Sequence, residues 1–180
     1  MSNPHYDIRV PSLPEIPFDH RDWDEFHEDC DPIGDARTKP HRLIIVRQWS
    51  PIRMRRAVFK IAQFFRREFS YDFTQYGYDG QDDDPQHVAF LWTNDTMYGS
   101  MADVAVGGGC FRWREWENMP HGWGLQWVWI HPYERRKGLL RAAWPYFRLR
   151  FGDFYPERPL SEAMEAFLKT VDHPTPTLFS

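Results

Sequence analysis

Cysteine is nearly absent from this 180-residue chain. Cys30 and Cys110 are the only two, far apart and in unrelated contexts. That excludes a disulfide framework and suits a reducing compartment. Long hydrophobic runs are missing too. No apolar stretch approaches the roughly 18 residues needed to span a bilayer, and the first thirty residues lack the basic start and apolar run of a signal peptide. Nor is there a strong charge of one sign. The net charge is -4, and so small a balance names no partner. Together these absences describe a soluble, cytoplasmic protein with no membrane partner.

What the chain has in excess is aromatic rings. They make up 17% of the residues, with nine Trp and fourteen Phe. The length fits one domain of ordinary size with an appended arm. The rings imply a ring-rich core or a binding surface, and ring-rich strands could also support a homodimer.

Residues 1–40 differ from the rest. They hold six prolines, ten acidic residues and four basic ones, a local net charge of -6. So many prolines exclude a long helix, and the periodicity of a strand is lacking. This segment reads as an extended acidic arm with little regular structure, laid across the domain by Trp23 and Phe26. Residues 41–180 form the domain. In the arm, His20, His27 and Cys30 match no closed zinc spacing and lack a fourth ligand, so no metal is expected.

The domain opens with RLIIVRQW, residues 42–49, a short β-branched strand. Ser50 and Pro51 then read as N-cap and first helical position. Met54, Val58, Ile61, Ala62, Phe65 and Phe69 repeat at threes and fours, an amphipathic helix. Its other face is basic, from Arg53 to Arg67. Such a face serves an acidic partner, or is solvated and paired with the acidic arm; the second is the simpler reading. YDGQDDDPQ is a loop. HVAFLWT, MYGSMADVAV and CFRWREWE read as strands of a meander, with a turn at Asn94-Asp95. Gly107, Gly108 and Gly109 break it as a bulge or turn, because no helix follows to make them a phosphate cradle. GWGLQWVWI, residues 122–130, is apolar on both faces and so a central strand. LLRAAWPYFRLRF is helical, DFYP a short last strand, and PLSEAMEAFLKTV a terminal helix capped by Ser161. The order after the arm is β, α, three or four β, α, β, α. It calls for an α/β (α+β) fold: a mixed, mostly antiparallel sheet with flanking helices, split between GLQWVWI and DFYP.

The stretch HPYERRKGLL, residues 131–140, joins the central strand to the helix. The first N–H groups of a helix lack internal partners and carry partial positive charge. Glycine lets the backbone close on a ligand, and Arg135, Arg136 and Lys137 add full charges. A pyrophosphate fits such a place. A basic turn with no ligand is the alternative.

Arg135-Arg136-Lys137-Gly138-Leu139-Leu140, after VWIHPYE, resembles the Gln/Arg-x-x-Gly-x-Gly/Ala signature of the GNAT family of acetyl-CoA-dependent N-acetyltransferases. The resemblance covers roughly residues 42–171, and only this motif is specific. DFYPERPLSEAMEAFL is more weakly similar to the last strand and Pro-containing turn of the cohesion-type lysine acetyltransferases. The resemblance implies acetyl-CoA as cosubstrate and an amine as acceptor, small molecule or protein. It implies pyrophosphate on the amides of Arg136 to Leu140, with Arg135 and Lys137 neutralising it. The pantetheine arm is implied beside Trp129 and Ile130, where the fourth and fifth strands of the family splay.

The chain departs from the family at three places. Leu140 stands where the motif has Gly or Ala. Pro145 falls within the helix, where it removes a donor and kinks it or starts a new one. The strand from Gly124 to Ile130 has no carboxylate to act as general base; Gln126 is its only polar side chain, and an amide cannot take a proton. Candidate bases are Asp103, Glu115, Glu117, Glu157 and Glu162. The resemblance favours Glu162, which equally suits the first turn of a helix. Asp103 is a second candidate, among apolar strand residues. For the proton of the leaving thiolate, Tyr155 stands in for the tyrosine that the last helix lacks. Two other functions compete. One is a non-catalytic domain of this type serving as a CoA-binding or interaction module. The other is nucleic-acid binding through the basic helix and the rings, which the acidic arm argues against.

Overall fold

The computed structural model describes residues 12–17, 30–33, 41–78, 86–94, 102–117 and 120–171. In chain order these form β1 (Glu15–Pro17), β2 (Cys30–Ile33), β3 (His41–Val46), α1 (Ile52–Phe69), β4 (His87–Asn94), β5 (Ala102–Arg114) and β6 (Gly122–Ile130). A 3-10 turn (Pro132–Glu134), α2 (Leu139–Phe151), β7 (Tyr155–Pro156) and α3 (Glu162–Leu168) follow. One mixed sheet runs in the order β2-β3-β4-β5-β6-β7, with β1 also on β5. Every pairing is antiparallel except β6 with β7. This is the expected mixed, mostly antiparallel sheet.

Both faces of the sheet are covered, and the alternation of β3 shows how. Ile44 and Val46 pack with α1 on one side; Leu43 and Ile45 pack with α2 on the other. Successive side chains of a strand leave on opposite faces, so an all-apolar strand needs a helix on each side. The α2 side is built of rings. Phe111 stacks on Phe151 at 3.9 Å and meets Phe147 and Phe154 edge-on near 5 Å. Each buried Phe contributes about 2 kcal/mol. Pro145 lies inside α2, which runs on past it as one helix.

Several expectations change. The arm takes part in the sheet: β1 pairs with β5 and β2 with β3, and Ile16 is fully buried in the α1-side core. Short strands survive the prolines because each needs only one partner edge. Ser50 is not the cap of α1. Its hydroxyl accepts from the Arg47 N–H at 2.9 Å, and Pro51 holds the cap position without a side-chain bond. A turn there ends β3 at Val46, short of residue 49. The three glycines do not break the meander either. Residues 102–114 are one strand, and glycine is needed because the neighbours crowd in. A Cβ on Gly108 would stand 2.5 Å from the Phe90 carbonyl oxygen. Irregularity sits beside the triplet, where Trp92 and Thr93 oppose Gly107 and Ala105 and leave Val106 extra. Ser161 caps α3 as expected, accepting from the Met164 N–H at 3.2 Å. His20, His27 and Asp95 lie outside the described residues.

Candidate functional site

The central strand β6 ends at Ile130, and the chain turns sharply. The His131 Nδ1 accepts from the Tyr133 N–H at 3.3 Å. The 3-10 turn follows, then Arg136 at φ 63 and Gly138 at φ 83, both left-handed. Helix α2 starts directly after, its first bond running from the Ala142 N–H to the Gly138 carbonyl at 2.9 Å. Among the described residues no side chain caps this end, and no acid lies in its first turn. Its leading amides therefore keep their donors and partial positive charge. The space where a Gly138 Cβ would point is open for 4 Å; only the positive φ restricts that position.

The three basic residues of the turn do different things. Arg135 is a clamp. Its Nε donates to the Ile130 carbonyl at 2.8 Å and its Nη2 to the Glu68 carboxylate at 2.6 Å. Glu68, near the end of α1, also accepts from the Trp129 indole at 2.8 Å. Lys137 pairs with Glu134 at 3.0 Å. Arg136 is exposed and pairs with none of the described residues. Leu139 is buried and Leu140 packs against the α2-side core, so the leucine at the sixth motif position is a packing residue. Burial pushes the His131 imidazole below its ordinary value; Glu134 opposes this, while Arg135 and Lys137 add to it.

A cleft opens beside β6. Leu125 and Trp127 lie two residues apart, yet Leu125 packs on the α2 side and Trp127 on the α1 side. Phe111 opposes Leu125 and the adjacent Cys110 opposes Trp127, so Gln126 is an extra residue in β6, a bulge. A bulge bends and twists its strand. The partner β7 stops at Pro156, opposite Leu125, and the Glu157 N–H makes the last link, 2.9 Å to the Leu125 carbonyl. Beyond it no described strand pairs with that edge. The His131 N–H points to β5, bonding Val106 at 2.9 Å. By alternation the backbone of Trp129 faces β5, and that of Val128 and Ile130 faces away. The Ile130 carbonyl is already taken by Arg135, which leaves Val128 as the position with both backbone groups open. The Trp129 side chain is engaged, its indole tied to Glu68 and its ring against Phe64 at 5.1 Å.

Phe65, Phe69 and Tyr71 line this cleft from α1 and the chain after it; Glu157, Ser161 and Met164 line it from the other side. Glu157 is the one carboxylate among the described lining residues. Both its oxygens accept from Arg114, at 2.6 and 2.7 Å. Gly124 makes room for it, since a Cβ there would stand 3.1 Å from the Glu157 Cγ. The other candidate groups lie elsewhere. Tyr155 turns edge-on to Trp116 at 5.2 Å, beside Gly122 and off the cleft. Glu162 is exposed in the first turn of α3. Asp103 is buried opposite Ile16, with the Thr93 hydroxyl 3.4 Å away. It is six residues from Gly109 along β5, roughly 20 Å at strand rise. Tyr71 and Val128 were missed, because neither carries a motif; only the end of α1 and the parity of β6 bring them here.

Among the described residues, no helix is long and apolar enough to cross a membrane, and no group of three His, Cys, Asp or Glu side chains could hold a metal ion. No protein-family model and no curated protein matches the chain. It is similar to two solved structures of an aminoglycoside acetyltransferase from an uncultured soil metagenomic sample, one in complex with sisomicin and one with trehalose. Each has 9% identity and a TM-score of 0.49 over 78% of this chain and 95% of that one.

Proposed function

We propose that the protein is an N-acetyltransferase that moves an acetyl group from acetyl-CoA to a primary amine. One observation carries this reading: a single strand, β6, has an open edge from Gln126 onward and leads through one short turn to an uncapped helix start. A thioester with a long polar arm and a pyrophosphate suits both features at once. The pyrophosphate would rest on the amides from Arg136 to Leu140, with the charges of Arg136 and Lys137 nearby. The arm would lie along β6 at Val128.

Acetyl transfer needs a free amine lone pair, a polarised carbonyl and a proton for the leaving thiolate. The nitrogen attacks the carbonyl carbon, the C–S bond breaks, and the amine proton must leave. The Val128 N–H, aimed away from β5, is placed to polarise the carbonyl oxygen. Glu157 takes the amine proton through water; it replaces Glu162 and Asp103 in this role because it lines the cleft. Tyr71, the phenol of the cleft wall, replaces Tyr155 as proton source for the thiolate. Arg135 and Glu68 act by holding the turn to the end of α1.

Calorimetric titration with CoA, followed by thiol release in the presence of amines, tests the reading. Saturable binding and amine-dependent release are expected; a protein that binds no CoA overturns it. Binding without release from any amine would favour a CoA-binding module instead. That second reading is supported by Glu157 already accepting two bonds from Arg114.

A further inference from the structure

One residue of the cleft lining carries a buried polar atom with no partner. Gln126, the extra residue of the β6 bulge, lines the cleft, and the Oε1 of its amide is buried without a hydrogen bond. A buried acceptor left unpaired destabilises the fold, and most such groups in proteins find a partner. The rest of β6 is apolar or glycine, so nothing in the strand itself calls for an amide at this place. A donor brought by a ligand would satisfy it once the amide turns toward the cleft.

The walls are of another kind. Phe65 and Tyr71 stack at 5.1 Å and 24°, and Phe65 meets Trp127 at 5.7 Å. Phe69 is 40% exposed and lines the same cleft. Among the described lining residues the one carboxylate is engaged by Arg114. An acceptor with several ammonium groups would find no unpaired negative charge here and would have to shed water from each cation. One amine on a flat body finds ring faces for the body and for its own positive charge.

We propose, resting on the acetyl-transfer reading, that the acceptor is a primary amine carried on a single aromatic or apolar body, and that Gln126 is the residue that positions it. The Gln126 Oε1 accepts an N–H of the amine. Because an amide takes no proton, it holds the nitrogen and leaves the lone pair free for the thioester carbonyl. Gln126 is therefore a positioning residue, and Glu157 remains the base.

The experiment compares 2-phenylethylamine with spermidine as acceptors, reading CoA thiol release by the unaltered protein and by Gln126→Leu. For the unaltered protein, kcat/KM is expected to be at least about tenfold higher with 2-phenylethylamine. Gln126→Leu should raise the KM for that amine about tenfold, the worth of one hydrogen bond to a buried partner. It should leave CoA affinity unchanged and should not lower the melting temperature, since it removes an unpaired polar atom. A merely structural glutamine would show the reverse pattern. Equal or better use of spermidine, or an unchanged KM in the variant, overturns the proposal. Failure of the unaltered protein to bind CoA overturns the acetyl-transfer reading instead. In that case, or if no amine is turned over, calorimetric titration with 2-phenylethylamine decides this site alone. Binding weakened about tenfold by Gln126→Leu keeps it, and absent or unaltered binding removes it.

Discussion

Gly108 and Gly138 are the same residue put to opposite uses. At Gly108 the backbone is ordinary strand, and the neighbours forbid a side chain; a Cβ would stand 2.5 Å from the Phe90 carbonyl oxygen. At Gly138 the neighbours forbid nothing within 4 Å, and the backbone itself, at φ 83, asks for glycine. One glycine is set by packing between strands, the other by the turn that opens α2. A crowded glycine belongs to the fold, whereas a glycine beside empty space is free to meet a ligand.

Substitution should separate the two. Gly108→Ala should cost about 3 kcal/mol, because the new methyl group forces strands apart. For a domain of this size that lowers the melting temperature by roughly 6–12 °C, a shift that differential scanning calorimetry would read. A melting temperature equal to that of the unaltered protein would mean that the sheet gives way easily there. Gly138→Asp should remain folded, losing about 1 kcal/mol for a side chain in the left-handed region. On the proposed reading its CoA affinity falls on the order of a hundredfold, since a carboxylate faces the phosphates. Gly138→Ala carries the same backbone cost without the charge. Titration of both variants with CoA should therefore show the smaller loss for alanine.

The start of the same turn has its own pH signature. Burial keeps the His131 value below 6.5 in the folded chain. Above that pH neither state is charged, and His131 adds no pH dependence. As pH falls through 6.5, the unfolded chain takes its proton first, so stability drops until the folded value is passed. Melting curves at about pH 7.5 and about pH 5.5 should show this loss, and His131→Phe should reduce it. The charges beside the ring are Glu134, Arg135 and Lys137, all retained in that variant. The smallest effect should come from Arg135→Gln. The Arg135–Glu68 pair is partly exposed, at 39% and 34%, so its loss should cost about 0.5 kcal/mol. CoA affinity should fall by less than about threefold, because the side chain holds the turn and points at Glu68. A loss as large as that of Gly138→Asp would return Arg135 to direct contact with the phosphates.

Much of the fold was legible along the chain. Strands β3, β4 and β6 and helices α1, α2 and α3 follow from apolar periodicity, which depends only on spacing. The short strands of the arm were not legible, since β1 exists by virtue of the β5 edge beside it. The site was legible in part. Residues 131–140 could be singled out because a glycine, three basic residues and a helix start are adjacent in sequence. Roles inside that stretch were not. Arg135 looks like its basic neighbours until Glu68, 67 residues earlier, is brought against it. Phe65 and Phe69 read as the apolar stripe of a helix, yet they end half-buried and exposed as a cleft wall. Ser50 reads as a cap, but its hydroxyl bonds backward to Arg47.

Local spacing and charge by themselves determined the element order, the mixed sheet with helices on both faces, and the glycine turn that opens α2. These are short-range properties, set within a few residues by side-chain periodicity and backbone freedom. Only the tertiary structure decided that Gln126 is an extra residue in its strand, that Val128 holds the open backbone position, and that Glu157 is the carboxylate of the cleft. A bulge is a mismatch between two strands, and a cleft is the place where a third strand stops. Neither can be written in one segment alone, because each depends on the register of chains far apart in sequence.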